Sequence, residues 1–134
     1  MDLTTASLNQ FTGSLDWAKF SSISKCIASE GMMHVAEVGQ AFWLLDAIAS
    51  HEEHNPELIA ACAADEGLDY LHFWTLTVDL EAKAAVLSCR KDSDQPEIVR
   101  QEIEFTDFPL EEIKVYAGND GPGTSRKLYL PSEY

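Results

Sequence analysis

The sequence predicts an α+β domain in which N-terminal helices pack on one face of a C-terminal antiparallel sheet of about four strands. Three observations carry that expectation. Apolar residues recur at helical spacing through the first half of the chain and switch to a period of two at Tyr70. The stretch Gln40 to Ser50 is apolar on nearly every face, so it reads as a helix enclosed by the rest of the domain. The connections between the later segments are short, which suits strands that reverse direction as a meander.

The elements follow in order. Thr4 or Thr5 caps a short helix carrying Leu8 and Phe11, stopped by Gly13. Ser14 to Phe20 reads as a turn that tucks Trp17 and Phe20 onto the core, and Lys25 to Ala28 is ambiguous between helix and strand. Ser29 caps a helix over Glu30 to Val38, with Met32, Val35, Ala36 and Gly39 at i, i+3, i+4 and i+7. Gly39 marks a bend, because glycine costs about 1 kcal/mol relative to alanine inside a helix. The central helix then runs to Ser50 and ends in His51-Glu52-Glu53-His54, which is polar and expected to emerge into water.

Asn55-Pro56-Glu57 places a capping side chain, a proline at the first helical position and an acid in sequence. The helix is expected over Pro56 to Glu66, with Gly67 as its stop. Tyr70 to Val78 is a strand presenting Tyr70, His72, Trp74, Leu76 and Val78 on one face. Lys83 to Cys89 and Glu97 to Phe105 follow as strands across polar turns. Thr106 to Glu112 breaks the sheet, Ile113 to Ala117 returns to it, Gly118 to Ser125 has the composition of a mobile loop, and Leu128 to Leu130 adds a short edge strand.

With 134 residues and 14.9 kDa, the chain is one domain over 1–134. A globule of this mass buries roughly 68% of its unfolded surface, enough for an independent core. No apolar run approaches the roughly 18 residues that span a bilayer. Met1-Asp2-Leu3-Thr4 lacks the features of a signal peptide, so a cytoplasmic protein without membrane contact is expected. Cys26, Cys62 and Cys89 are odd in number and widely spaced, which argues for small buried hydrophobes over disulfides or a structural zinc site.

Three stretches occur together: Ala41-Phe42-Trp43-Leu44-Leu45-Asp46-Ala47-Ile48-Ala49-Ser50, Phe105-Thr106-Asp107-Phe108-Pro109-Leu110, and Leu130-Pro131-Ser132-Glu133-Tyr134. Phe73-Trp74-Thr75-Leu76-Thr77-Val78 lies between them. The combination resembles a family of small, uncharacterised bacterial and phage domains of unknown function. Those domains are marked by an aromatic-Trp-Leu-Leu-Asp helix, a strand ending in a short aliphatic run, and a Thr-Asp-Phe-Pro-Leu turn. The resemblance covers most of the chain, and the chain departs from it in the longer glycine-rich segment before Leu128. It implies one intact domain and brings no catalytic residue, substrate or cofactor.

Nine basic against 23 acidic residues give a formal net charge of −14. This opposes direct contact with nucleic acid or an anionic membrane, permits a basic protein partner or mimicry of nucleic acid, and favours solubility. His51 and His54 lie on one helical face at i, i+3 and are the metal candidates, with His34, His72 or a carboxylate as a third ligand. The spacing is not the HExxH of zinc proteases. Asp46, an acid in an apolar helix, is a candidate general base, or it accepts hydrogen bonds from the Thr106-Asp107-Phe108 turn or from the loop before the helix. The joint with the turn is the preferred reading. His72 is the second catalytic candidate, weighed against core packing beside Trp74.

Asp92-Ser93-Asp94 is no calcium loop, because Ile103 replaces the acid at its twelfth position. Gly118 to Gly123 lacks the Lys-Ser/Thr ending of a phosphate loop, and no nucleophile motif is present. The expected function is a non-enzymatic interaction or accessory domain without a cofactor, able to form a homodimer through a sheet edge or helical face. The alternatives are a metal-dependent enzyme or binder using His51 and His54, and a nucleic-acid mimic.

Overall fold

The computed structural model describes residues 3–11, 17–92, 94–119 and 125–134. The expected stop at Gly13, the turn residues 14–16, Ser93 and the loop residues 120–124 lie outside them. Among the described residues are five α-helices and a seven-stranded sheet. The helices are α1 (Thr5–Leu8), α2 (Glu30–Val38), α3 (Phe42–His54), α4 (Pro56–Ala64) and α5 (Glu66–Tyr70). The strands are β1 (Trp17–Lys19), β2 (Ile27–Ser29), β3 (Leu71–Asp79), β4 (Ala84–Arg90), β5 (Val99–Ile103), β6 (Glu112–Gly118) and β7 (Lys127–Tyr129). A 3₁₀ turn, Pro131–Glu133, follows.

The α+β class holds, but about four strands was too few. The sheet order is β1-β2-β7-β6-β3-β4-β5, and β2 pairs β7 in parallel. Two strands therefore come from the N-terminal segment read as a turn and an ambiguous stretch; at three residues each they show little periodicity. The segment read as an edge strand, β7, is interior because β2 docks on its outer side. Nor is the sheet a simple meander: β6 pairs with β3 and not with β5. The Thr106–Leu110 turn carries the chain past the tip of the β3–β4 hairpin, where Thr106 N–H donates to Lys83 O and Val78 N–H donates to Glu111 O.

Alternation sorts the sheet into two faces. His72, Trp74, Leu76 and Val78 of β3 are buried with Ala85, Leu87 and Cys89 of β4 and Ile113, Val115 and Ala117 of β6. Leu44, Leu45 and Ile48 of α3 and Met32, Val35 and Ala36 of α2 join that core. Tyr70 is the exception: it ends α5 and is 62% exposed.

Helix α2 starts where expected, with Ser29 Oγ accepting from Met32 N–H. Asn55 caps α4 as expected, but Gly67 is not its stop. The Asp65 side chain accepts from Gly67 N–H and Leu68 N–H and starts α5, so the cap outweighs the glycine. At the α2–α3 bend, Gly39 is needed for close approach: a Cβ there would lie 2.7 Å from Val35 O and 2.8 Å from a Leu3 methyl. The left-handed residue is its neighbour Gln40, with φ of 52°.

Helix α3 is not apolar all round. Phe42, Asp46 and Ser50 are exposed while Leu44, Leu45, Ile48 and Ala49 are buried, leaving one covered stripe. The His51–His54 end does not simply emerge into water either. Glu53 accepts from Ser24 Oγ, with Lys25 N–H and the Cys26 thiol close by, and so anchors the approach to β2. Burial pushes the Glu53 pKa up, but these donors and His54 outweigh it and hold the carboxyl below its usual range.

Candidate functional site

Leu45, Ile48 and Glu52 stand at i, i+3 and i+7 on α3, so the stripe that buries the two aliphatic side chains also turns Glu52 inward. Its side chain is 1% exposed. Beneath it, His72 and Trp74 occupy successive inward positions of β3. His72 Nε2 lies 2.6 Å and Trp74 Nε1 2.8 Å from Glu52 Oε2. The other His72 nitrogen, Nδ1, lies 2.7 Å from Leu68 O, a carbonyl that can only accept. Arg126 completes the cluster from the residue before β7. Its Nε is 3.2 Å from Glu52 Oε1 and its Nη2 is 3.1 Å from Asp69 Oδ1. The Arg126 Nε contact is close enough for an ion pair but is not aligned as a hydrogen bond, so Oε1 keeps an unfilled acceptor position.

Burial pushes the His72 pKa down, but the Cys62 thiol beside it, the hydrogen bond and charge of Glu52 and the Leu68 carbonyl together prevail. They raise it from 6.5 to about 10. His72 is therefore an imidazolium at neutral pH, with its two N–H groups directed at Leu68 O and Glu52. That state cannot accept a proton, so the group is no general base near pH 7. Glu52 and Asp69 balance His72 and Arg126 in charge, which suits burial, because breaking such a pair leaves an uncompensated ion. The cluster ties α3, α5, β3 and the start of β7 together.

Two of the thiols, Cys26 and Cys89, are held away from the reactive thiolate form. Burial pushes Cys26 up to about 12, with Glu53 and Glu52 adding to the effect against the Ser24 hydroxyl. Burial also raises Cys89, reinforced by Glu52 and Cys62 and opposed by Arg126. A small pocket of 260 Å³ bordered by Glu52, Cys62, Asp69 and Arg126 opens onto the cluster.

The residues proposed from sequence fall in different places. Asp46 is exposed on the outer side of α3. The preferred joint between Asp46 and the Thr106 turn is thus replaced by an exposed acid; the turn is held by its own Thr106 Oγ1, which accepts from Phe108 N–H at 3.1 Å. His51 packs on Trp74 with ring centroids 5.3 Å apart, and its nitrogens lie 2.8 Å from Gln101 Oε1 and 2.9 Å from Asn55 Nδ2. Since one of these partners donates and the other accepts, both ring positions are filled by one neutral tautomer. His54 is exposed. His34 packs against Phe11 at 5.1 Å, with a buried Nε2 that lacks a partner. Among the described residues no group of three or more His, Cys, Asp or Glu side chains is placed to hold a metal ion.

Two of the motif stretches do meet, but through apolar groups. Trp43 of α3 and residues Phe105 to Pro109 of the turn line a cleft of 600 Å³ together with Leu3, Val38, Gly39 and Gln40. Phe108 is buried as its floor, while Phe105 is 65% exposed. Asp107 stands at the rim with its side chain 77% exposed. The third motif is structural. Buried Glu133 accepts from Ser29 Oγ at 2.5 Å, Leu130 N–H at 2.9 Å and Gly31 N–H at 3.2 Å, placing a carboxylate on the N-terminus of α2.

The arrangement defines a helix-covered sheet domain with a self-neutralised ionic core and a surface cleft of mixed apolar and polar lining. The chain belongs to the family of unknown function DUF6876, whose model matches residues 2–134. No curated protein and no solved structure matches it.

Proposed function

We propose that the chain is a non-enzymatic binding domain whose cleft between α3 and the Thr106–Leu110 turn receives an apolar side chain of a basic partner segment. The carrying observation is the cleft itself: 600 Å³ between Trp43 and the Phe105–Pro109 turn, with exposed Phe105 at its side. The cleft is concave and pairs apolar side chains with polar groups of Gln40, Thr106 and Asp107, and such a combination can fix a ligand's orientation. One acid, Asp107, lines it, with Lys83 Nζ 3.8 Å from its carboxylate, and exposed Glu37 precedes the lining residue Val38 in sequence. Gln40, held at a φ of 52°, borders the same cleft, as strained residues at binding sites often do.

A random-peptide library panned on the full chain tests this reading. Enriched peptides should carry an aromatic or large aliphatic residue flanked by Lys or Arg. They should lose binding to Phe105→Glu, an exposed position that leaves the fold intact. Enriched peptides that bind Phe105→Glu as well as the natural chain, or no enrichment at all, would overturn it.

A further inference from the structure

The sheet ends at β5, and among the described residues no strand lies on its outer side. Every second N–H and C=O of Val99–Ile103 therefore faces away from β4, a template for a further strand. The opposite edge is β1, whose three residues include Lys19, a length and a charge that discourage pairing. Strand β5 has five residues and neither lysine nor proline.

Its sequence is complementary to itself when reversed. Val99-Arg100-Gln101-Glu102-Ile103 has an aliphatic residue at each end, Gln101 at the centre and opposite charges on either side of it. Antiparallel pairing of two copies about a two-fold axis at Gln101 sets Arg100 of each opposite Glu102 of the other, and Val99 opposite Ile103. Directly opposite side chains lie about 5 Å apart, whereas the two Arg100 and the two Glu102 meet only on diagonals of roughly 7–8 Å, so attraction wins. Centring the axis on Arg100 or on Glu102 would set like charges directly opposite. A slip of one residue would join the core face of one copy to the outer face of the other. The register on β4 defines those faces: Val99, Gln101 and Ile103 stand opposite buried Cys89, Leu87 and Ala85, and Arg100 and Glu102 are exposed on the outer side.

The neighbouring charges leave this match intact. Glu97 holds Arg90 at 3.4 Å and Arg100 at 3.2 Å, the latter through Nη1. A guanidinium carries five N–H donors, so Arg100 can meet a second carboxylate. Exposed Glu104, just past the strand, comes opposite Ile98 of the second copy and diagonal to its Arg100. Two chains of net charge −14 repel as wholes, but that field is screened beyond about 8 Å at physiological ionic strength.

We propose that two copies of the chain join edge to edge through β5, in the register centred on Gln101, to form a homodimer with one continuous sheet. A foreign extended peptide could use the same backbone groups, but it gives the self-matched order of the side chains no role.

Sedimentation equilibrium of the full chain from micromolar to millimolar concentration, at physiological ionic strength, tests the assignment. The mass should rise from 14.9 kDa toward twice that value. Arg100→Glu and Glu102→Arg, both at exposed positions, each set like charges opposite one another at two symmetry-related places and should weaken association on the order of tenfold. Glu102→Arg should do so even though it moves the net charge toward zero. Mixed in equal amounts, the two variants should associate again, because every cross-strand pair is then of opposite sign. Lys114→Glu alters net charge as Arg100→Glu does but lies on β6, and should leave association unchanged. A monomer throughout the range overturns the proposal, as does a dimer indifferent to both β5 variants. A mixture no heavier than the variants alone equally overturns it.

Discussion

Replacing Glu52 by Gln keeps the shape of the side chain and removes one charge from the buried cluster. In the natural chain Glu52 accepts from His72 at 2.6 Å and Trp74 at 2.8 Å and faces Arg126 Nε at 3.2 Å, with 1% of its side chain exposed. Removing one partner of a buried ion pair costs about 3–5 kcal/mol. For a domain of this size that is a fall in Tm of roughly 10 °C or more. The pH dependence carries more information than the magnitude. Because the folded His72 pKa is raised from 6.5 to about 10, its stabilisation is fully present below about pH 6.5 and is lost as pH climbs through about 10. In Glu52→Gln, burial is opposed only by Cys62 and the Leu68 carbonyl, the His72 pKa falls, and the alkaline loss should vanish. Urea unfolding followed by tryptophan fluorescence between pH 5 and 10 measures both effects. A variant as stable as the natural chain, or one with an unchanged alkaline slope, would refute the ion-pair account.

Three further outcomes are expected. Glu133→Ala strips acceptors from Ser29, Leu130 and Gly31 and should cost about 1–3 kcal/mol, with amide exchange accelerated in the first turn of α2; undisturbed protection there would contradict its capping role. Gln40→Gly relieves a left-handed φ of 52° and should stabilise by up to about 1 kcal/mol, whereas Gly39→Ala, which meets Val35 O at 2.7 Å, should destabilise; chemical denaturation showing the opposite order would remove the strain argument. Zinc titration followed by histidine NMR should leave His51 unshifted, since Gln101 and Asn55 occupy its nitrogens; a joint shift of His51 and His54 would restore the metal reading.

What could be read from the sequence depended on how much regular pattern each segment carries. Met32, Val35 and Ala36 announce α2, and Asn55-Pro56 announces α4, because periodicity and capping are local properties. The nine residues of β3 display the alternation of His72, Trp74, Leu76 and Val78. Strands of three residues do not, and β1 and β2 were accordingly missed. The parallel pairing of β2 with β7 is a property of the assembled sheet alone.

At the candidate site, sequence spacing singles out the two histidines of His51-Glu52-Glu53-His54, whereas the carboxylates between them do the anchoring. The signal was present: Glu52 continues the Leu45 and Ile48 spacing, so a helix extended by one turn turns it inward. Arg126, two residues before inward Leu128, carried a similar signal in the alternation of β7. Neither spacing names the partner, which only the folded sheet brings within reach. Asp46 misled because its apolar neighbours suggested enclosure, and one exposed stripe sufficed to release it.

The account rests on the ionisable core serving the fold and doing no proton transfer. Nitrogen-15 NMR of the His72 imidazole in the full chain at pH 7 tests this most directly. The account predicts two protonated ring nitrogens at pH 7, with deprotonation only near pH 10. A ring carrying one bare nitrogen at pH 7 would contradict it and make His72 available as a base.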